Sequence, residues 1–106
     1  MALYKNMMTP TGKCEFWVVG AFWLDNFAKN GYVTVYGFEN REHCDFEGSV
    51  FKHKMSYSIN NKDGDYDKYF DKALLEQDGV SPYTQMYKYI KDKDENFKDA
   101  DDWIFK

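Results

Sequence analysis

The chain has 106 residues, of which 43% are hydrophobic and 20% are Phe, Tyr or Trp. This length and this apolar content are typical of a protein with one hydrophobic core, so we predict a single domain over residues 1–106 and exclude an intrinsically disordered chain. The net charge is −4, and the acidic excess lies in residues 61–106, which hold eight Lys and twelve Asp or Glu. Because binding to DNA or RNA depends on clustered Lys and Arg, we expect no direct nucleic-acid partner.

The first third of the chain is predicted to form strands. Residues 2–8 are expected to form a short strand that ends at the turn Thr9-Pro10-Thr11-Gly12, where Pro fixes φ and Gly accepts a positive φ. Residues 13–25 carry β-branched and aromatic side chains on both alternating faces. This pattern favours a central strand that is buried on two sides or bent near Gly20.

Two further strands are predicted before residue 60. Residues 26–31 are expected to form a hairpin turn, because Asn30-Gly31 accepts the positive φ values of a primed turn. Residues 32–38 have high β propensity and should pair with the central strand. After a polar loop over residues 39–48, apolar and polar side chains alternate over residues 51–59, which is typical of a half-exposed strand.

Helical patterns replace strand patterns after a polar loop over residues 60–67. Apolar spacing predicts a helix over residues 67–77 that ends at Gly79, with a short strand around Tyr69 and Phe70 as the alternative. A second helix is predicted from Ser81 as N-cap and Pro82 as first helical residue. Its apolar stripe consists of Tyr83, Met86, Tyr87 and Ile90.

The order of these elements indicates an α+β fold. About four strands in the first 60 residues would form a mainly antiparallel sheet, and one or two helices would follow in the C-terminal part. The chain then becomes acidic before the apolar tripeptide Trp103-Ile104-Phe105. Burial of such side chains is worth about 1.5 to 3 kcal/mol each, so we predict that the tripeptide docks on the sheet or across a subunit boundary.

Residue types with metal or catalytic chemistry do not form a recognisable motif. The aspartate-rich loop that begins at Asp63 lacks the Gly and the final carboxylate of a calcium loop. Cys14, His43, Cys44 and His53 lack the paired spacing of zinc ligands, and two cysteines do not make a disulfide framework, so we expect reduced thiols. No nucleophile or phosphate-binding motif is present. We therefore expect a protein that is not an enzyme and that holds no metal or cofactor.

The N-terminus lacks the apolar segment of a signal peptide, and no stretch approaches the ~18 apolar residues of a membrane span. We expect a protein without a membrane span that stays in the cytosol or leaves it by a route that needs no signal. Aromatic side chains exceed what one face of a small sheet can bury, so some should lie at an interface. The candidate interface residues are Trp17, Trp23, Tyr36, Trp103, Ile104 and Phe105.

Several short segments resemble small proteins encoded among the tail and structural genes of phages and prophages. These segments are residues 5–12, residues 15–20, residues 33–38 followed by Arg41-Glu42, residues 87–91 and residues 97–102. The resemblance does not extend over residues 39–58, and the group itself is largely of unassigned role. It implies a protein of the host bacterial cytoplasm, with incorporation into the virion as a further expectation.

Three functions follow from these observations. The first is a non-enzymatic structural or assembly protein that forms a homo-oligomer or docks to phage tail or baseplate components. The second is a carbohydrate-binding module in which exposed Trp and Tyr stack on cell-wall glycans. The third is an acidic inhibitor that occupies a host nucleic-acid-binding protein by imitating phosphate charge.

Overall fold

The computed structural model describes residues 2–40, 51–77 and 80–103. Its strands are β1 (Ala2–Thr9), β2 (Gly12–Asp25), β3 (Asn30–Phe38), β4 (His53–Ile59) and β5 (Asp101–Trp103). Its helices are α1 (Asp65–Phe70), the single turn α2 (Lys72–Leu75) and α3 (Pro82–Lys93), followed by a 3-10 turn over Glu95–Phe97. All strand pairs are antiparallel in the order β4-β3-β2-β1-β5, which confirms the predicted α+β fold.

Strand β2 lies at the centre of the sheet, as predicted, between β1 and β3. Its pairing with β3 shifts between Val19 and Ala21, so Gly20 is the extra residue of a β-bulge. The Val19 N–H donates a hydrogen bond to the hydroxyl of Tyr87 on α3 at 2.8 Å. This bond joins the bulge of the central strand to the helix layer.

The bulge decides which side chains of β2 face the helices. Before it, Trp17 and Val19 point into the core, and after it Phe22 and Leu24 pack against the same core. Side chains alternate along a strand, so without the extra residue the odd-numbered position Trp23 would face the helices. Because of the bulge, Trp23 lies on the opposite face and is half exposed.

The β2–β3 turn differs from the predicted one. It occupies residues 26–29, and Asn30 and Gly31 already belong to β3. The Asp25 carboxylate accepts hydrogen bonds from the N–H groups of Phe27, at 2.9 Å, and Ala28, at 3.0 Å. The positive φ of the turn falls on Lys29, at 54°. An aspartate turn therefore forms in place of the predicted Asn-Gly turn.

The helix predicted over residues 67–77 is interrupted. Asp71 has the extended angles φ −55° and ψ 138°, which end α1, and its carboxylate accepts the Ala73 N–H at 3.2 Å and so caps α2. The alternative strand around Tyr69 and Phe70 is wrong, because both residues lie in α1. The predicted stop at Gly79 lies outside the described residues.

Helix α3 forms as predicted. The Ser81 hydroxyl accepts hydrogen bonds from the N–H groups of Tyr83 and Thr84, and Pro82 is the first helical residue. Three members of the predicted apolar stripe are buried, namely Met86, Tyr87 and Ile90. Tyr83 is 52% exposed, and its ring lies edge-on against Phe22 at 5.0 Å.

The helices cover one face of the sheet and enclose the main core. Its largest fully buried side chains are Trp17, Tyr66, Tyr87, Phe70 and Phe97. A smaller cluster of Ala2, Phe16 and Phe38 is buried on the opposite face. The central strand was predicted to be buried on two sides or bent near Gly20. It is buried on two sides at the consecutive residues Phe16 and Trp17, and it carries the bulge at Gly20.

Tyrosine hydroxyls at the rim of the core are bound to neighbouring elements. Tyr57 on β4 donates to the Asp94 carboxylate at 2.6 Å, and Tyr69 on α1 donates to Asp92 at 2.5 Å. Burial and then these carboxylates raise the pKa of Tyr57 and of Tyr69 above the ordinary tyrosine value. Both hydroxyls therefore stay protonated at neutral pH and act as hydrogen-bond donors.

The sheet curls at the end that holds the β1–β2 turn. The Thr11 hydroxyl of this turn donates to the Lys52 carbonyl, which immediately precedes β4. Strand β4 is separated from β1 by two strands in the sheet. This hydrogen bond therefore brings the first and fourth strands together at one end of the molecule.

We predict that Tyr87→Phe lowers the free energy of unfolding by about 1 to 3 kcal/mol, because it leaves the buried Val19 N–H without this acceptor. Denaturant unfolding followed by far-UV circular dichroism measures the change. Tyr83→Phe, at a half-exposed ring on the same helix, is the matched control and should change stability by less than about 0.5 kcal/mol. Equal stability of Tyr87→Phe and the control would contradict the assigned role of the bulge bond.

We also predict a loss of stability above about pH 10. The unfolded chain releases the protons of Tyr57 and Tyr69 at the ordinary tyrosine pKa, whereas the folded chain retains them because both pKa values are raised. Above about pH 10 the unfolded state therefore binds fewer protons than the folded state. The contribution of these two tyrosines to the free energy of unfolding is fully present below about pH 10 and declines as the pH rises further. Thermal melting from about pH 8 to 11 measures the decline. A Tyr57→Phe/Tyr69→Phe double variant with an undiminished slope would contradict this account.

Candidate interaction surface

Three exposed aromatic side chains surround the β2–β3 turn. Phe27 in the turn is 102% exposed, Trp23 on β2 is 50% exposed and Tyr32 on β3 is 47% exposed. Trp23 and Tyr32 are direct register partners, and their rings stack with centroids 6.4 Å apart and planes 23° apart. We call Trp23, Phe27 and Tyr32 the aromatic hairpin end.

The aromatic hairpin end is fixed to helix α1. The Tyr66 hydroxyl donates to the Asn26 side chain at 2.5 Å, and Lys29 Nζ lies 2.9 Å from the Asp67 carboxylate. Hydrogen bonds from Lys29 and Asn61 lower the pKa of Asp67, so its charge persists in mildly acidic solution. The turn is thus tied to the helix layer at two points, which favours a fixed presentation of its aromatic rings.

The predicted interface residue Trp17 lies in the core. It is 0% exposed, its indole N–H donates to the Lys5 carbonyl at 2.9 Å, and its ring packs edge-on against Phe97 at 5.2 Å. A side chain at Gly37 would overlap the same indole, which shows how closely the ring lies on β3. Trp17 is therefore a packing residue of the folded chain and offers no exposed surface.

Tyr36 is half-buried on the sheet face that points away from the helices. Its ring lies over the bulge residue Gly20, where any β-carbon would overlap it. Phe51, which is 45% exposed, packs against the Tyr36 ring at a centroid distance of 4.7 Å. Trp23 and Tyr36 thus lie on the same face, on either side of the bulge.

The C-terminal tripeptide is described only at its first residue. The backbone of Trp103 pairs with Ala2 in the β1–β5 ladder, so the chain adds a strand to the edge of the sheet there. Ile104 and Phe105 lie outside the described residues. Docking of their side chains stays a prediction.

Sequence reasoning missed the two aromatic residues that complete the hairpin end. The interface residues predicted from the sequence do not include Phe27 or Tyr32. Phe27 offers a usable signal, because a large apolar side chain in a turn has no core to enter. Tyr32 offers none from sequence, because its exposed face depends on the register with Trp23.

The part of the chain that the structure describes was searched for side chains of the usual metal-ligand types. Among residues 2–40, 51–77 and 80–103, no group of three or more His, Cys, Asp or Glu side chains is arranged to hold a metal ion. Of the four residues weighed as zinc ligands, Cys14 is buried with its pKa raised by burial, and His53 lies edge-on to Trp17. His43 and Cys44 lie outside the described residues.

No helix in the described part of the chain is long and apolar enough to cross a membrane. We compared the chain with models of protein families, with curated proteins and with solved structures. None of the three comparisons found a match.

Proposed function

We propose that this chain is a non-enzymatic binding protein that associates with a protein partner through its aromatic hairpin end. The observation that carries the proposal is the full exposure of Phe27 beside the half-exposed, stacked pair Trp23 and Tyr32. Scattered exposed apolar residues are normal on protein surfaces, but three aromatic rings around one turn form a patch. Tyr, Trp and Phe are enriched at the centres of protein interfaces.

The energetics support association at this patch. Burial of a large apolar side chain is worth about 1.5 to 3 kcal/mol, and Phe27 gains none of this in the folded chain alone. The bonds from Tyr66 and Lys29 hold the turn to α1, so little further ordering is required on binding. A partner that covers the three rings therefore gains apolar burial at a low entropic cost.

The resemblance to small proteins of phage tail gene clusters supplies a setting for the proposal. In that setting the partner is a second copy of the chain or a tail or baseplate component. Mass spectrometry of purified particles from a strain that carries the gene would test whether the protein enters the virion. Sedimentation at high protein concentration distinguishes a self-associating chain from one that needs another partner.

We predict that Phe27→Ser combined with Trp23→Ala abolishes association. Each side chain lies on the surface, so the variant should retain the far-UV spectrum of the parent. Analytical ultracentrifugation measures self-association, and affinity capture with co-expressed tail proteins measures docking. An interface anchor of this kind is worth about 2 kcal/mol or more, so the loss should exceed about thirtyfold.

Met8→Ser is the matched control for this experiment. Met8 is 80% exposed and lies beside the β1–β2 turn, at the other end of β2 from Phe27. The Met8→Ser substitution removes an exposed apolar side chain from a surface that is distant from the aromatic hairpin end. A parent chain that stays monomeric and captures no tail protein would overturn the proposal, as would equal losses in the control and the double variant.

A carbohydrate-binding role is the second candidate, and the Trp23–Tyr32 pair favours it. Two half-exposed aromatic rings on one open sheet face offer surfaces on which a sugar ring stacks. The buried Trp17 contributes nothing to such a platform. This candidate therefore depends on Trp23 and Tyr32 alone.

For the carbohydrate role we predict that binding to peptidoglycan or cell-wall polysaccharide is lost in Trp23→Ala and retained in Phe27→Ser. Stacking requires the paired rings, whereas a protein interface also uses the ring at the turn. Binding to immobilised glycans, measured alongside circular dichroism, separates the two candidates. Absence of glycan binding by the parent chain would exclude this role.

The acidic-inhibitor hypothesis gains no support from the charge arrangement. Four acidic side chains of the C-terminal part lie within 3.1 Å of a lysine Nζ. The pairs are Lys5–Asp99, Lys29–Asp67, Lys91–Asp102 and Lys93–Asp65. Partnered carboxylates present a weaker field to a basic partner than free ones do.

A further inference from the structure

A small cleft opens at the end of the sheet opposite the aromatic hairpin end. Its volume is about 130 Å³, and its walls include Met7 and Met8 from β1, His53 and Met55 from β4, and Trp17 from β2. We call it the methionine cleft. Three of the five methionines in the chain therefore line one cavity.

Strand register and sheet curvature bring these residues together. His53, Gly37 and Trp17 are successive register partners across β4, β3 and β2, and Met55 lies two residues beyond His53 on the same face. Gly37 has no side chain, so the Trp17 ring extends over it and reaches His53 at a centroid distance of 6.4 Å. Met7 on β1 lines the same cleft as His53 and Met55 on β4, and the Thr11 hydroxyl of the β1–β2 turn contacts the Lys52 carbonyl just before β4.

The residue types that line the cleft include several that bind soft metal ions. Three methionines and one histidine line it, together with Trp17, Thr9, Pro10 and Asn96, and no described wall residue is a carboxylate or a lysine. Thioether and imidazole groups are soft or borderline ligands, which favour Cu(I) over the hard cations Mg²⁺ and Ca²⁺. Met is also flexible, so its sulfur adjusts to a ligand without movement of the backbone.

The methionines at the cleft differ in solvent exposure from the methionine in the core. Met86 is fully buried in the core, where methionine fills space between apolar side chains. Met8 is 80% exposed, and Met7, His53 and Met55 are each partly exposed, so solvent reaches the cleft. Met7 and Met55 also pack against the main core, so their side chains lie between the core and the solvent-accessible cleft.

We propose that the methionine cleft binds a monovalent soft cation, Cu(I), through the thioethers of Met7 and Met55 and the imidazole of His53. The ring of Trp17 lies beside His53, and Met8 lies at the exposed rim of the cleft. The site is distinct from the aromatic hairpin end, because the two lie at opposite ends of β2. Its test is therefore independent of the proposed binding function.

Silver(I) is the probe, because it shares the ligand preferences of Cu(I) and is not oxidised in air. The full chain is labelled with ¹³C in the methionine methyl groups and titrated with AgNO₃. The methyl resonances of Met7 and Met55 should shift as one equivalent of Ag(I) binds, and that of Met86 should not. Tryptophan fluorescence should be partly quenched over the same range, because Trp17, one of the three tryptophans, lies beside the ligands.

Thiols also bind Ag(I), so the titration is repeated with Cys44→Ser and with Cys14→Ala. The proposal expects the Met7 and Met55 shifts to persist in both variants. It is overturned if these resonances stay unmoved while Ag(I) is taken up, or if their shifts vanish with either cysteine. Unmoved resonances would mean that the cleft is only an apolar gap.

Ligand variants provide the second measurement. Met7→Leu, Met55→Leu and His53→Phe keep the shape of the cleft, and each should weaken Ag(I) binding by at least about tenfold. Met86→Leu is the matched control, because it replaces a methionine away from the cleft and should leave the affinity unchanged. Equal affinities in the ligand variants and the control would overturn the proposal, as would a preference for Zn²⁺ over Cu(I) in competition.

Discussion

The hydrogen bond from the Val19 N–H to the Tyr87 hydroxyl is the interaction on which the arrangement of this fold depends. A bulge interrupts the ladder between β2 and β3, and Tyr87 provides an acceptor from α3 beside it. After the bulge, the even-numbered side chains of β2 face the core in place of the odd-numbered ones. The same strand therefore contributes Trp17 to the core and Trp23 to the surface. Gly20 lies at the point of reversal and leaves room for the ring of Tyr36.

Local signals in the sequence predicted those elements whose cause is local. The hydroxyl of Ser81 and the ring of Pro82 start α3, and the alternation of side chains defines β4. A bend near Gly20 was one of the two alternatives predicted for the central strand, but the sequence did not predict which of the two tryptophans is buried. Trp17 and Trp23 are six residues apart, an even spacing that places both on one face of a regular strand. The bulge separates them, and the Val19 N–H at the bulge is bound by a helix that begins at residue 82.

The errors in the turn and in the first helix have a common physical origin. In both places an aspartate carboxylate binds backbone N–H groups and overrides the preference of its neighbours. Asp25 forms the turn that was predicted at Asn30-Gly31. Asp71 lies between α1 and α2, where the spacing of apolar residues predicted one continuous helix. Aspartate is common in this chain, so its local bonds to backbone compete with regular structure at several points. The aromatic hairpin end and the methionine cleft were harder still to predict from the sequence. Each consists of residues from different strands that come together only through strand register and sheet curvature.

The pairing of β5 with β1 has a consequence for the order in which the protein forms during synthesis. Asp102 lies opposite Leu3, so this ladder joins residues that are separated by almost the whole described chain. On the ribosome, β1, β2 and β3 can pair as soon as they emerge, since each hairpin is local. The outer edge of β1 stays unpaired until residues 101–103, which form β5, leave the exit tunnel. Until β5 emerges, the growing chain therefore carries an unpaired sheet edge on β1, and an unpaired strand edge is a template for pairing with another chain.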